Sequence, residues 1–111
     1  MNPALGIVTR RLREHIEVCR DLYALEDQIA EAGAVLAKVV AAGGKILFLG
    51  CGGSAAMAQH LAAELVVRFR ETRRPLPGLA VTDPAILTAA ANDLGWEQAL
   101  ARPVLALAGP G

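Results

Sequence analysis

Apolar residues recur every three or four positions at Leu5, Val8, Leu12, Ile16 and Cys19, with Arg10, Arg11, Arg13, Glu14 and Glu17 between them. That spacing predicts a helix over about 5–18 with one apolar stripe. A second helical pattern covers about 22–42, turning Leu25, Ile29, Ala32, Leu36, Val39 and Val40 inward, and Gly43 with Gly44 stops it. The chain then becomes an unbroken apolar run at 46–49, which suits a strand covered on both faces, as in a parallel sheet; alternation would have implied an exposed face. Helical spacing returns at 54–70, and Pro75 and Pro77 mark the loop beyond it. A short strand is predicted at 78–81, followed by Asp83 as a cap and Pro84 as a first-turn proline opening a helix over 85–91. The apolar run at 103–109 reads on its own as a further strand. The order helix, helix, strand, helix, strand, helix is that of an α/β layer fold with a parallel sheet.

Composition sharpens this picture. The 111 residues suffice for one modest domain and leave no room for a second. Hydrophobic residues make up 54% of the chain, but only Tyr23, Phe48, Phe69 and Trp96 are aromatic, so the core must be built from Ala, Leu and Val. Trp96 reads as core or as a lid over a bound ligand, and the core is the expectation. Eleven basic and eleven acidic residues cancel, which removes the positive field on which nucleic-acid binding by phosphate neutralisation depends. Arg68, Arg70, Arg73 and Arg74 do cluster, but with Glu71 among them and only Phe69 interleaved they read as a solvated or subunit-facing loop. No run reaches the roughly 20 apolar residues of a membrane span, and the first residues lack the apolar centre of a signal peptide. Cys19 and Cys51 stand far apart, in contexts that read as helix and buried loop, and offer no disulfide framework. A reducing compartment, the cytoplasm, is expected, with no membrane and no nucleic acid among the partners.

The break at 50–54 carries the first candidate chemistry. Gly50, Gly52 and Gly53 remove Cβ atoms where the backbone must turn sharply, and Ser54 brings a hydroxyl to the start of the next helix. A helix amino end presents unpaired N–H groups and a partial positive charge, so an anion such as a phosphate is held there without any lysine. Ser54 acting simply as the N-cap of a tightly packed helix is the competing reading. The segment matches neither G-x-G-x-x-G nor the nucleoside triphosphatase P-loop. Further along, His60 and Glu64 are four residues apart and share one helix face, with Arg68 continuing the stripe. An imidazole and a carboxylate so placed can share a divalent metal or act as acid and base on a bound sugar. An ordinary polar face with a Glu64–Arg68 ion pair fits the same spacing.

The stretch "GGKILFLGCGGSAAMAQHLAAELVVRFRETRRPLPGLAVTD", with "AAANDLGWEQALARPV" after it, resembles the sugar isomerase (SIS) domain family. Within that family it is similar to the phosphoheptose isomerases, which interconvert sedoheptulose 7-phosphate and a heptose 7-phosphate. The G-x-G-G-S loop, the H-x-x-x-E-L helix, the F-R-E-x-R segment and the N-D-x-G turn occur here in the family's order, over nearly the whole chain. The resemblance implies a three-layer fold of which 1–111 is a single partial domain. In it, 1–43 would be a helical hairpin used in oligomerisation and 44–111 the start of the α/β layer. It implies that Cys51, Gly52, Gly53, Ser54, Arg68, Asn92 and Asp93 line the substrate, and that Glu64 is the base moving a proton between C1 and C2 through an enediol. His60 with Glu64 would bind zinc in members that use it. The family usually has Asn where this chain has Cys51. A thiol cannot reproduce the amide's hydrogen bonds, which puts substrate choice in question; an inert, buried Cys51 is expected in preference to a reactive thiol.

The family also continues beyond the equivalent of 109–111, with another strand, a Ser/Thr-rich loop that grips the phosphate and a late helix that completes the metal site. A truncated chain, or one that completes its sheet with another polypeptide, is therefore expected. Ser54 and Glu64 lie ten residues apart, about 15 Å along a helix axis at 1.5 Å per residue, so Glu64 is expected to serve a pocket shared with a neighbouring subunit of a homo-oligomer, a tetramer by family habit. The resemblance places a helix end at 103–109 instead of the strand. The alternative function is a non-catalytic SIS module binding a sugar phosphate or a protein partner.

Overall fold

The computed structural model describes residues 2–110. Residues up to Val35 form one compact unit and residues from Leu36 onward another.

The first unit is helical throughout. Helix α1 spans Ala4–Asp21, and the Asn2 side chain accepts from the Ala4 amide at 2.9 Å just ahead of its first turn. The expected hairpin is not what the backbone forms. No glycine or proline interrupts the chain between Asp21 and Glu26, and Asp21, Leu22 and Glu26 all keep right-handed helical dihedrals. The chain instead tightens into a 3-10 turn at Leu22–Leu25 and continues as α2, Glu26–Ala41. Neither helix has a buried residue, so Leu5, Val8, Leu12 and Ile16 of the α1 stripe are exposed. Surface pairing of Arg11 with Glu14 at 2.8 Å adds only a few tenths of a kcal/mol.

The second unit carries the sheet. Strand β1 is Ile46–Phe48, α3 is Gly53–Val66, β2 is Gly78–Ala80, α4 is Pro84–Leu94 and α5 is Trp96–Leu107. The strands pair in parallel with Ile46 opposite Gly78, Leu47 opposite Leu79 and Phe48 opposite Ala80, and α3 is the crossover between them. Both strands are one residue shorter than the sequence pattern suggested, and β1 is half-buried rather than covered on both faces. The core is made of small residues: Ala58 and Ala62 of α3, Val81 beyond β2, Ala90 of α4, and Ala99 and Pro103 of α5. Their size lets backbones approach closely. At Gly78 a Cβ would lie 2.9 Å from the Leu65 side chain, so this glycine is what allows α3 to sit against β2.

Two sequence expectations change here, and two are borne out. Helix α3 stops at Val66, not 70, because the chain turns away at Val67 and Leu76 N–H donates back to the Leu65 carbonyl at 3.0 Å. The helix end that the family resemblance implies for 103–109 is borne out: residues 103–107 close α5, and Ala108 beyond them is extended. Trp96 is not in the core; it opens α5 directly after Gly95, whose φ of 102° turns the chain, and is 64% exposed. The expectation for Asp83 holds: its carboxylate accepts from the Ile86 amide at 3.0 Å, with Pro84 in the first turn.

Candidate active site

The loop between β1 and α3 leaves the carboxyl end of β1. Gly50 is obligatory at this point, since a Cβ there would lie 2.6 Å from both the carbonyl carbon and the Cβ of Ser54. Gly52 takes φ 57° and ψ −123°, a conformation that L side chains rarely adopt, and it is the N-cap of α3. Ser54 therefore lies inside the first turn and not at the cap, and no side chain caps this end of the helix. The Ser54 amide donates to the Cys51 carbonyl at 3.0 Å and the Ala56 amide to the Gly52 carbonyl at 3.2 Å. Gly52, Gly53 and Ser54 are exposed around an end that carries the positive pole of a 14-residue helix. Cys51 is exposed and free, which corrects the expectation of a buried thiol: the turn at Gly52 leaves it on the outside of the loop.

Farther along α3, His60 Nε2 lies 3.5 Å from Glu64 Oε1, with the Glu64 side chain 33% exposed and that of His60 65% exposed. The one-turn spacing thus brings imidazole and carboxylate together as the sequence suggested. Arg68 does not join them. With α3 ended at Val66 it lies in the following loop, exposed, and no Glu64–Arg68 ion pair occurs among the described residues.

Asn92 and Asp93 are exposed within the last turn of α4, where the Asn92 amide donates to the Asp93 carboxylate at 2.9 Å. Neither hydrogen-bonds to the glycine loop or to α3 among the described residues.

Two contacts that position this helix have no signature in residue spacing. Gln59 Nε2 donates to Thr82 Oγ1 at 3.0 Å, fastening α3 to the loop after β2. Because β1 and β2 are parallel, that loop and the 50–53 loop both leave the carboxyl ends of the strands, the end at which open α/β sheets bind ligands. At the other end, Arg73 donates through one nitrogen to the Leu65 carbonyl at 2.9 Å and the Arg74 carbonyl at 3.0 Å, and through another to the Glu64 carbonyl at 2.8 Å. A cation here complements the negative pole of α3 and holds the backbone of Glu64 itself. Arg73→Ala takes this donor from the half-buried Glu64 carbonyl, while the Leu65 carbonyl keeps the Leu76 N–H, and is expected to lower stability by about 1–3 kcal/mol in urea denaturation. Arg73→Lys, which keeps the charge but not the planar fork, should recover only part of that loss.

His60 and Glu64 also suit a metal ion. Two donors bound at about 2.0–2.2 Å with tetrahedral angles stand roughly 3.3 Å apart, close to the 3.5 Å observed. They supply half of such a set, and no group of three or more potential His, Cys, Asp or Glu ligands occurs among the described residues.

The chain matches the SIS domain over residues 12–110. It is 51% identical to the phosphoheptose isomerase of Aquifex aeolicus over 92 residues, covering 82% of this chain and 47% of that protein. It is 46% identical to the phosphoheptose isomerase of Solidesulfovibrio magneticus over 109 residues, 96% of this chain and 53% of that protein. Among solved structures, a phosphoheptose isomerase from Francisella tularensis superposes with a TM-score of 0.89 at 33% identity, over 96% of this chain and 56% of that one. The phosphoheptose isomerase of Neisseria gonorrhoeae gives a TM-score of 0.84 at 32% identity, over 93% and 54% respectively. The chain thus spans about half the length of the curated relatives it matches.

Proposed function

The chain belongs to the SIS domain family, and on that footing we propose that it contributes the anion-binding loop and the proton-transferring base of a phosphoheptose isomerase. Sedoheptulose 7-phosphate is the substrate in this reading, converted between ketose and aldose through an enediol. The observation that carries it is the pairing of His60 with Glu64 on a helix whose amino end no side chain caps. The helix amides and Ser54 recognise a negative group, while Glu64 acts on the carbon skeleton. Its carboxylate removes a proton from C1 of the ketose, the C–H electron pair becomes the C1=C2 double bond, and the C2 carbonyl pair moves onto oxygen, which takes a proton from solvent to give the enediol; the carboxylic acid then returns its proton to C2 as the C1 hydroxyl releases its own to solvent and C1 becomes the aldehyde carbon. Ser54 and Glu64 lie about 15 Å apart along α3, so Glu64 serves a pocket shared with a neighbouring copy, within a homotetramer that the exposed α1 stripe helps to assemble. On assembly Arg68, from the loop after α3, and Asn92 and Asp93, from the last turn of α4, reach the sugar.

Zinc bound by His60 and Glu64, with further ligands from outside these residues, would polarise the substrate carbonyl as a Lewis acid. A cytoplasmic setting suits the two free thiols.

A second reading is a non-catalytic SIS module that binds a sugar phosphate or a protein partner, favoured by Cys51, whose exposed thiol cannot hydrogen-bond a sugar as an amide does. Assaying ketose-to-aldose conversion with and without zinc separates the two. Residues 1–111 alone are expected to bind sedoheptulose 7-phosphate without turnover, and conversion is expected once the remaining half of the site is supplied. Binding with no conversion in any assembly supports the module instead.

A further inference from the structure

We propose that Arg73 is a positioning residue for the Glu64 base, acting through the backbone of α3 and not through charge at the carboxylate; the inference rests on the proton-transfer reading of Glu64 given above. Glu64 lies in the last turn of α3, which ends at Val66. The final carbonyls of a helix have no partner inside it, and a last turn without outside donors frays. Val67 N–H takes the Ala63 carbonyl at 2.9 Å, and Leu76 N–H takes the Leu65 carbonyl at 3.0 Å. Among the described residues the Glu64 carbonyl has Arg73 alone, at 2.8 Å.

The guanidinium is shaped for that task. Its two terminal nitrogens hold consecutive carbonyls, one reaching Glu64 and the other Leu65 at 2.9 Å, so the fork fixes the rotation of the last turn as well as its end. The nitrogen on Leu65 also donates to the Arg74 carbonyl at 3.0 Å, which fastens the arginine to its own loop. Of the four arginines between 68 and 74, Arg73 alone is half-buried; Arg68, Arg70 and Arg74 are exposed. Among the described residues no arginine comes within ion-pair distance of the Glu64 carboxylate, whose partner is His60 at 3.5 Å. Arg73 therefore sets where the carboxylate stands without competing for its oxygens.

Placement of this kind has a kinetic signature. A base takes a proton only at hydrogen-bond reach, and a displacement of about 1 Å can cost about 10²-fold in rate. Without Arg73 the turn that carries Glu64 is free to unwind. The amides assigned to the phosphate lie at the opposite end of α3 and keep their place. The loss should therefore fall on kcat and leave KM unchanged.

The test is a double-substitution cycle in the assembled isomerase that carries this chain, with rates referred to folded protein by circular dichroism. Arg73→Ala should lower kcat about 10–100-fold with KM for sedoheptulose 7-phosphate unchanged, and Arg73→Lys should recover part of that loss. In a Glu64→Gln background, Arg73→Ala should cost little more, because the group it positions is already gone; an arginine with a purely structural role would cost the same factor in both backgrounds. Equal losses in the two backgrounds, or an unchanged kcat in Arg73→Ala, overturn the role of Arg73 while leaving Glu64 as the base. Full activity in Glu64→Gln removes the base itself, and this proposal with it.

Discussion

Glu64→Gln is expected to slow ketose-to-aldose conversion by about 10²–10⁴-fold in the assembled isomerase that carries this chain, the range over which a positioned base contributes. Gln keeps the shape of the side chain and can still hydrogen-bond His60 across the 3.5 Å that now separates the two groups, but its amide cannot take a proton from carbon. Binding of sedoheptulose 7-phosphate should survive, because the amides at the start of α3 are untouched. Incorporation of solvent deuterium into the sugar at C1 and C2 should fall in step with turnover. A rate equal to that of the unsubstituted protein would remove Glu64 from the chemistry.

The largest effect on stability is expected at Gly50. An added Cβ would sit 2.6 Å from the Ser54 carbonyl carbon and Cβ and 2.7 Å from its carbonyl oxygen. These are mostly backbone atoms of the first turn of α3, and the Ser54 amide is already engaged by the Cys51 carbonyl at 3.0 Å. Relief requires the loop to open and α3 to shift. Gly50→Ala should therefore destabilise by about 3 kcal/mol, the upper part of the usual range for overpacking, read as a fall in the urea midpoint. Gly53→Ala is the control. Nothing lies within 4 Å of a Cβ at that position, which is helical, and relief of unfolded-state entropy should stabilise by about 0.5 kcal/mol. Similar midpoints for the two variants would contradict the close approach at Gly50.

How far the sequence alone reaches differs along the chain, for local reasons. Strand β1 and the break at 50–53 were legible because a run of apolar residues ending in glycines is a local signal. The His60–Glu64 pairing was legible because one helical turn fixes it. The end of α3 was not: apolar and basic residues continue to Arg70, and the last carbonyls of the helix are taken up by Leu76 N–H and by Arg73 reaching back from the loop beyond. Spacing within the helix cannot announce a donor from the loop beyond it. Arg68 was misplaced on the stripe for the same reason. The hairpin over 1–43 came from resemblance, while the absence of any breaker between Asp21 and Glu26 pointed to the continuous helical backbone that forms. The core expectation for Trp96 fails because it sits immediately after the turn at Gly95, which leaves it exposed at the start of α5.

An amide-resolved NMR titration of the 111-residue protein with sedoheptulose 7-phosphate, repeated with unphosphorylated sedoheptulose, addresses the anion-binding end of α3 most directly. The largest shifts should fall on Gly52, Gly53, Ser54 and Ala55, and only with the phosphorylated sugar. Unmoved amides at those positions, or equal shifts with both sugars, would contradict phosphate recognition by this helix end.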